Sequence, residues 1–262
     1  MTGASEEQLI KLQIDGAIAI LTFNRPEKLN AFNEAMVEQL AATCRVIERS
    51  VEVRVVIITG EGKAFCAGGD IEAWGAKSAL DFGRFWLREG HSAFDLLARL
   101  RQPVIAVLNG HALGGGLELA ALADMRVAED HVKVGLPEAG IGVIPGWSGT
   151  QRTVRRFGSQ IVRRMAVFGE VFSATQAQAF GIVDHVVAKG EGMQRALAIA
   201  KLTTERAPVA TEFAKMLVNA AEGEERERVL EALAGIAAAG TADLAEGVTA
   251  FKDKRKPEFK GR

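Results

Sequence analysis

The sequence predicts an α/β fold followed by a helical C-terminal region. Two nearly continuous apolar runs, at 54–59 and 103–108, are typical of strands buried on both faces of a parallel sheet. A segment with helical character follows each run, and strands that alternate with helices indicate right-handed crossovers. After about residue 190 the chain is rich in Ala, Glu, Arg and Leu, and strand patterns end. We therefore predict an α/β core over 1–190 and a helical region over 191–262.

The N-terminal elements can be assigned in chain order. Residues 12–23 are predicted to form two short strands joined at Asp15-Gly16, a dipeptide typical of hairpin turns. From Asn33 onward, apolar residues recur on one side of a predicted helix. The strand at 54–59 leads into a glycine-rich loop. An amphipathic helix is then predicted to run through Phe85 and on to Leu100.

The second apolar strand begins a similar series. A second glycine-rich loop follows residues 103–108, and an Ala/Leu-rich helix is predicted over 116–123. Short strands are predicted at 125–128 and 132–134. The remaining predicted elements are C-terminal helices near 192–205, 208–221, 224–239 and 241–255.

The composition excludes several classes of protein. Hydrophobic residues make up 48% of the chain and charged residues 25%, as in ordinary globular proteins. A net charge of −1 gives no reason to expect nucleic acid or an anionic membrane as a partner. Two cysteines, Cys44 and Cys66, suit a reducing compartment better than a disulfide framework. The acidic N-terminus resembles no targeting signal and no long apolar run appears, so we expect a cytoplasmic protein without membrane spans.

Both apolar strands end in glycine-rich loops, which are the most informative feature of the sequence. The loops cover residues 60–70 and 109–118, and each leads into a helix. Ligands of open α/β sheets bind beyond the carboxyl ends of strands, and glycine lets the backbone approach them closely. Two adjacent loops can direct two N–H groups to one oxygen and form an oxyanion hole. Simple tight turns remain an alternative, as does phosphate binding, although neither loop matches a dinucleotide or P-loop motif.

Glu118 and Glu138 are candidates for an acid and a base. Glu118 follows the second glycine loop, and Glu138 lies in a segment rich in glycine and proline. Most glutamates are solvated surface residues, but two carboxyl groups in an apolar pocket can accept and donate a proton in turn. Such a pair suits the addition of water to a double bond conjugated to a carbonyl, because the oxyanion hole stabilises the enolate.

Other reactive groups point less clearly to chemistry. The four histidines show no metal-binding spacing, so no metal is predicted, and a structural role is favoured for His111. Cys66 is interpreted as a packing residue. Ser148 has no evident base beside it.

Around the two glycine loops and the two glutamates, the chain resembles the crotonase (enoyl-CoA hydratase/isomerase) superfamily. The resemblance covers nearly the whole chain, in the order and spacing of the family. It is carried by residues 24–31, 65–70, 109–118, 137–152 and the tail at 246–257. The family implies a spiral of repeated ββα units whose helical C-terminal region forms trimers, often paired into hexamers.

The resemblance also implies an enzyme that hydrates trans-2-enoyl-CoA to 3-hydroxyacyl-CoA. By position, Gly69 and Gly115 match the oxyanion donors, and Glu118 and Glu138 match the two catalytic glutamates. The N–H of Gly146 matches a group that helps hold the water. The acyl-CoA is the expected partner, and no cofactor is expected beyond the coenzyme A that the substrate carries.

Further residues match the CoA-binding parts of the family. The segment Ala67, Gly68, Gly69, Asp70 and Ile71 matches the path of the adenine and pantetheine groups. Lys28 and Lys254 occupy positions where the family places basic residues near CoA phosphates, Lys254 from a neighbouring subunit. A solvated basic helix end is the alternative for Lys254.

Three positions depart from the family pattern. Gly69 stands where alanine is frequent, with its N–H retained. Trp147-Ser148 stands where small residues are usual, so the indole is expected to alter the acyl pocket. The three alanines Ala237–Ala239 occupy a stretch in which the family often has an aromatic residue. The alternatives to hydration are Δ3–Δ2 enoyl-CoA isomerisation, a specialised acyl substrate, or a non-catalytic scaffold that binds RNA.

Overall fold

The computed structural model describes residues 7–262. The N-terminal residues from which we expect no targeting signal lie almost entirely outside this range. Contacts divide the chain into two compact units, one up to Glu212 and one over Phe213–Arg262. The helix Gly192–Thr204 belongs to the first unit, because it packs on the sheet there, while the division at residue 190 stays a prediction. In the described range, no helix has the length and apolar character needed to cross a membrane.

Nine strands form two sheets in the described part of the first unit. They are β1 (Ile10–Asp15), β2 (Ile18–Phe23), β3 (Val55–Gly60), β4 (Val104–Leu108), β5 (Ala112–Leu113), β6 (Met125–Glu129), β7 (Lys133–Gly135), β8 (Val171–Ser173) and β9 (His185–Val187). The larger sheet has the order β1-β2-β3-β4-β6-β9, with only β1 antiparallel to its neighbour. The smaller sheet has the order β5-β7-β8. The predicted α/β class is confirmed.

Helices form from Asn33, after the second glycine loop and after residue 190, as predicted, whereas three helices within 152–179 were not predicted. In the first unit they are α1 (Glu34–Arg49), α2 (Ile71–Trp74), α3 (Ala79–Asp81), α4 (Arg88–Ala98), α5 (Gly115–Ala120), α6 (Arg152–Phe157), α7 (Ser159–Ala166), α8 (Ala174–Ala179) and α9 (Gly192–Thr204). Then come α10 (Pro208–Ala221), α11 (Arg226–Ala239) and α12 (Ala242–Lys252). Asn33 caps α1 by accepting a hydrogen bond from the N–H of Met36.

The central strands are buried on both faces, which explains their continuous apolar runs. In β3, Val56 and Ile58 belong to the main core, whereas Val55 and Ile57 pack in a second cluster on the other face. Helix α9 covers that second face. The carboxyl ends of β3 and β4 therefore point toward the same edge of a rigid, buried sheet.

The long helix predicted through Phe85 is wrong in its register. The chain forms the short helices α2 and α3, then a π-helical segment (Phe82–Leu87) that continues into α4. A π-helical turn contains more residues than an α-helical turn, so it rotates the apolar face. Phe85 is 50% exposed, whereas Trp86 is 4% exposed. This rotation brings Trp86 to the site described below.

Candidate active site

The two glycine-rich loops contact each other at the carboxyl ends of β3 and β4. A Cβ atom added to Gly115 would lie 3.2 Å from Cα of Gly68 and 3.4 Å from N of Gly69. A Cβ added to Gly68 would lie 3.2 Å from N of Gly115. Because neither residue has a side chain, the two backbones can approach this closely.

The backbone N–H groups of Gly69 and Gly115 are available to a ligand. Gly115 is the first residue of α5, so its N–H has no acceptor within the helix. Within residues 7–262, neither N–H donates to another backbone or side-chain group. Both residues line the same pocket. Two free donors on touching loops are the arrangement that an oxyanion hole requires.

Glu118 is buried in the first turn of α5 and is held by backbone donors. Its Oε1 accepts hydrogen bonds from the N–H groups of Trp147 and Gly149, both at 2.7 Å. The N–H of Gly146 also faces this carboxyl group. A side chain on Gly149 would overlap Glu118 Oε1, so only glycine leaves room for this contact. The loop 146–149 therefore fixes the Glu118 carboxyl group.

Glu138 presents its carboxyl group to the pocket without a hydrogen-bond partner. It begins a short 3₁₀ helix, Glu138–Ile141. Both of its carboxyl oxygens are buried and unpaired within the described residues. Its Oε1 lies against Gly114, 3.1 Å from the position of an added Cβ. Buried polar groups are normally paired, so an unpaired carboxyl group in a pocket indicates a place for a ligand or water.

Burial raises the pKa of both glutamates to about 7. For Glu118, repulsion from Glu138 raises the pKa further, while the backbone N–H groups of Gly146, Trp147 and Gly149 oppose the shift. The repulsion that Glu138 exerts on Glu118 shows that the two carboxyl groups are close enough to interact. Near neutral pH the pair can hold one proton between them, which suits an acid and a base.

The two glutamates are the charged side chains of an otherwise apolar pocket of about 390 Å³. A cavity of this size suits a small-molecule ligand. The lining residues from the two loops and from 137–147 include the predicted Ala67, Gly68, Gly69, Ile71, Gly115, Glu118, Glu138, Gly146 and Trp147. The structure thus brings most predicted site residues together, while their roles stay predictions.

Three predicted CoA contacts lie elsewhere. Asp70 is buried, with Oδ2 accepting from Nη1 of Arg25 at 2.6 Å and Oδ1 accepting from the N–H of Glu72. Lys28 forms an exposed ion pair with Glu72, at 2.7 Å between Nζ and Oε2. A CoA phosphate would therefore compete with Glu72 for this lysine. Lys254 is exposed in the second unit, and its role toward a neighbouring subunit stays a prediction.

The indole of Trp147 packs into the core. Its ring lies 4.9 Å from the ring of Trp86 and 4.8 Å from that of Phe94, centroid to centroid. Its Nε1 donates to the carbonyl oxygen of Trp86 at 3.3 Å. A side chain on Gly90 would overlap the indole, so this glycine makes the space that the ring fills. Trp147 therefore lines the pocket and also supports Trp86 through ring packing.

Ser148 has a base beside it, contrary to the sequence analysis. Its Oγ lies 2.9 Å from Nε2 of His91, a residue of α4 that is distant in sequence. The same Nε2 lies 3.7 Å from Oδ1 of Asp95. A nucleophilic triad needs the serine and the carboxylate on opposite ring nitrogens. The arrangement therefore anchors the loop and does not activate the serine.

We expect Ser148→Ala to lower the kcat of the reaction at this site by roughly tenfold. The contact of Ser148 with His91 anchors the loop, and Ser148 lies between Trp147 and Gly149, whose N–H groups hold Glu118. Ser148 has a φ of 75°, which is strained for a residue with a side chain. Ser148→Gly removes the same hydroxyl group but relieves this strain, so it is the matched variant. Steady-state rates of both variants, with thermal unfolding, separate positioning from stability. Wild-type kcat in both would contradict a positioning role.

Glu138 is expected to destabilise the folded protein above neutral pH. Its pKa rises from 4.5 to about 7 on folding, so between these values the folded state binds more protons than the unfolded state. The free energy of unfolding therefore falls as pH rises through this window. We expect Glu138→Gln to raise the free energy of unfolding by roughly 1–2 kcal/mol at about pH 8, with little change near pH 4. The effect is smaller than the full pKa shift implies, because the side chain is partly exposed and solvent screens its charge.

Denaturant unfolding at the two pH values measures this difference. Glu231→Gln, at an exposed position on α11, is the control and should change stability at neither pH. Equal stability of wild type and Glu138→Gln at the higher pH would contradict a desolvated carboxyl group.

The thiol of Cys66 and the imidazole of His111 have structural environments. Cys66 is fully buried, and burial raises the pKa of its thiol to about 12, which opposes thiolate chemistry. His111 Nδ1 accepts a hydrogen bond from the N–H of Lys133 at 3.1 Å. Both environments are consistent with the structural interpretations, which stay predictions.

Three aromatic lining residues were not predicted from the sequence. Trp74, Phe82 and Trp86 all face the pocket. Trp74 ends α2, and the other two lie on the π-helical segment. Phe82 lies eight residues after Trp74, and Trp86 lies four residues after Phe82. This spacing did not reveal that they share a face, because a π-helical turn breaks the helical period. The available signal was composition, since Trp74 and Trp86 are two of the three tryptophans in the chain.

Comparisons with known proteins place the chain in a family. A family model described as enoyl-CoA hydratase/isomerase matches residues 13–262. The chain is 36% identical to the short-chain-enoyl-CoA hydratase of Clostridium acetobutylicum, over 96% of this chain and 97% of that protein. It is 35% identical to the 2,3-dehydroadipyl-CoA hydratase of Escherichia coli, over 94% and 96% of the two chains.

Solved structures are similar over the same extent. An enoyl-CoA hydratase from Bacillus anthracis superposes with a TM-score of 0.80 at 33% identity, covering 97% of this chain and 100% of the other. DspI from Pseudomonas aeruginosa gives a TM-score of 0.81 at 30% identity, covering 99% of both chains.

Proposed function

The chain belongs to the enoyl-CoA hydratase/isomerase family, has the crotonase fold and is an enzyme of this kind, and from the geometry of its site we propose that it hydrates trans-2-enoyl-CoA to 3-hydroxyacyl-CoA. The observation that carries the proposal is the buried carboxyl pair, Glu118 and Glu138, beside the free N–H groups of Gly69 and Gly115. Hydration needs one group that accepts a proton, another that donates one, and a site for negative charge on the thioester oxygen.

The thioester carbonyl oxygen accepts hydrogen bonds from Gly69 and Gly115. Negative charge grows on this oxygen as the double bond is attacked, and the two N–H donors stabilise the enolate. Backbone groups supply these donors, because the backbones touch at Gly68 and Gly115 and leave no space between them for a side chain. The hole thus polarises C3 of the substrate toward a nucleophile.

A water molecule between the carboxyl groups supplies the nucleophile. We assign the ionised state to Glu118, because the N–H groups of Trp147 and Gly149 stabilise its charge. Glu138, whose oxygens accept no hydrogen bond from another described residue, is assigned the protonated state. Glu118 takes a proton from water, the hydroxyl group bonds to C3, and the electron pair of the double bond moves to form the enolate. Glu138 then protonates C2 as the carbonyl re-forms.

The proposed reaction involves proton transfer and addition without a change of redox state. It therefore requires no cofactor beyond the coenzyme A of the substrate. Release of product leaves Glu118 protonated and Glu138 ionised, so one proton returns from the first to the second before the next cycle. The pKa values of about 7 make that exchange easy at neutral pH.

Mixing the protein with crotonyl-CoA tests the proposal. We expect loss of the ultraviolet absorbance of the conjugated thioester and formation of 3-hydroxybutyryl-CoA that contains isotopically labelled solvent oxygen. Absence of turnover on a panel of 2-enoyl-CoA thioesters would contradict hydration.

Isomerisation of 3-enoyl-CoA is the second candidate. Glu138 supports it, because an unpaired carboxyl group can move a proton between two carbons alone. Under this alternative, 3-enoyl-CoA is consumed without uptake of labelled oxygen, and Glu118 is dispensable.

We also propose that the chain forms trimers or hexamers through its C-terminal helices. Within the second unit, large apolar side chains stay exposed on α10, α11 and α12: Leu217, Val218, Leu230, Ile236, Leu244, Val248 and Phe251. Exposed apolar surface of this kind marks interaction sites. Sedimentation equilibrium measures the assembly, and a monomer at micromolar concentration would contradict it.

A further inference from the structure

The pocket has an aromatic wall beside Gly69. A Cβ atom added to Gly69 would lie 3.0 Å from Cζ2 of Trp86 and 3.2 Å from Nε1 of Trp74. Both indoles therefore contact the backbone of the residue that carries one of the free N–H groups. A substrate whose carbonyl oxygen binds this N–H brings its acyl chain next to the two rings.

Packing extends the wall on both sides and holds it rigid. The rings of Trp74 and Phe82 lie 5.5 Å apart, and those of Trp86 and Trp147 lie 4.9 Å apart, centroid to centroid. Trp86 is buried, and Trp147 is itself fixed against Phe94. Movement of Trp86 would require repacking of this cluster, so a ligand meets a preformed surface.

Charge in the pocket excludes one class of acyl group. Among the described residues that line it, Glu118 and Glu138 carry the ionisable side chains, and none is basic. An acyl chain that ends in a carboxylate would find no cation here and would be repelled. The other lining side chains near the wall are aliphatic: Leu87, Leu113, Ile141, Val143 and Ile144.

Building on the proposed function, we propose that the preferred substrate is a 2-enoyl thioester whose C3 carries a planar aromatic ring. Aromatic pairs in offset or edge-to-face geometry gain stabilisation beyond that of buried area alone. Trp74 and Trp86 provide two such partners, because both indoles lie against Gly69 and line the pocket into which the acyl chain extends. A saturated ring of the same carbon number is thicker and lacks this interaction.

Calorimetric titration with two saturated thioesters tests the preference. The probes are 3-phenylpropanoyl-CoA and 3-cyclohexylpropanoyl-CoA, which share one carbon skeleton and lack the double bond that hydration consumes. We expect the phenyl compound to bind about tenfold tighter, from two aromatic contacts. Equal or tighter binding of the cyclohexyl compound would overturn the proposal, since the cyclohexyl group is the larger apolar surface.

Variants of the wall assign the preference to its residues. Trp74→Leu and Trp86→Leu should each reduce the affinity ratio about threefold, whereas Phe85→Leu, an exposed position outside the lining, should keep it. If Trp86→Leu does not fold, the half-buried Trp74 carries the test alone. A ratio that survives Trp74→Leu would overturn the assignment.

The titration does not depend on turnover, so two failures are distinguishable. Hydration of crotonyl-CoA without a phenyl preference contradicts only the aromatic substrate class. A phenyl preference without hydration of any 2-enoyl-CoA contradicts the proposed reaction and leaves the binding preference standing.

Discussion

Glu118→Gln and Glu138→Gln should each lower kcat for hydration of crotonyl-CoA by roughly 10²–10⁴-fold. Glutamine keeps the size of the side chain but neither accepts nor donates a proton at neutral pH. Oε1 of a glutamine at 118 can still accept from Trp147 and Gly149, so the loop 146–149 should keep its place. Initial rates from the thioester absorbance measure the effect.

The two variants also separate hydration from isomerisation. Glu118→Asp is the matched control, because it keeps a carboxyl group at a displaced position and should retain part of the rate. Under the hydratase proposal both glutamates matter for water addition. Hydration that proceeds at the wild-type rate in Glu118→Gln would remove this residue from the mechanism. Activity on 3-enoyl-CoA that depends on Glu138 alone would instead support an isomerase.

Removal of the Gly115 N–H should have the next largest effect, roughly 10²–10³-fold on kcat. Proline suits this position conformationally, because Gly115 is the first residue of α5. Gly115→Pro replaces the N–H by a ring carbon, so the thioester oxygen loses one donor and part of its space. Gly115→Ala is the matched control, since it adds the same Cβ against Gly68 but keeps the N–H.

The ratio of rates between the proline and alanine variants reports the donor itself. Circular dichroism and thermal unfolding show whether both variants keep the fold. Rates within a few-fold of each other would contradict an oxyanion role for Gly115. A large ratio would show that the thioester oxygen lies at the junction of the two loops.

The main elements of the fold could be predicted because their causes are local. The apolar runs at 54–59 and 103–108 predict β3 and β4, since strands buried on both faces contain few polar residues. Asn33 marks the start of α1 for a similarly local reason, the capping of the first free N–H groups. Phe85 shows the limit, because a single π-helical segment rotated the apolar face and placed Trp86 inside.

The candidate site was predictable only in part. Glycines that follow strands mark the two loops, and the resemblance assigned Glu118 and Glu138. No pattern connected Ser148 to His91, which are 57 residues apart and contact each other because α4 packs beside the loop 146–149. Nor did any pattern show that Gly90 leaves the space in which the ring of Trp147 packs against Trp86.

The glutamate pair shows what each level determined. The sequence by itself determined the α/β core, the two glycine loops, the family and the identity of the two carboxyl groups, because these depend on residue type and order. Only the tertiary structure decided that N–H groups of the loop 146–149 hold Glu118 while no other described residue donates to Glu138, and that burial raises both pKa values to about 7. Desolvation and repulsion depend on what surrounds a group in space, and residues from distant parts of the chain create those surroundings.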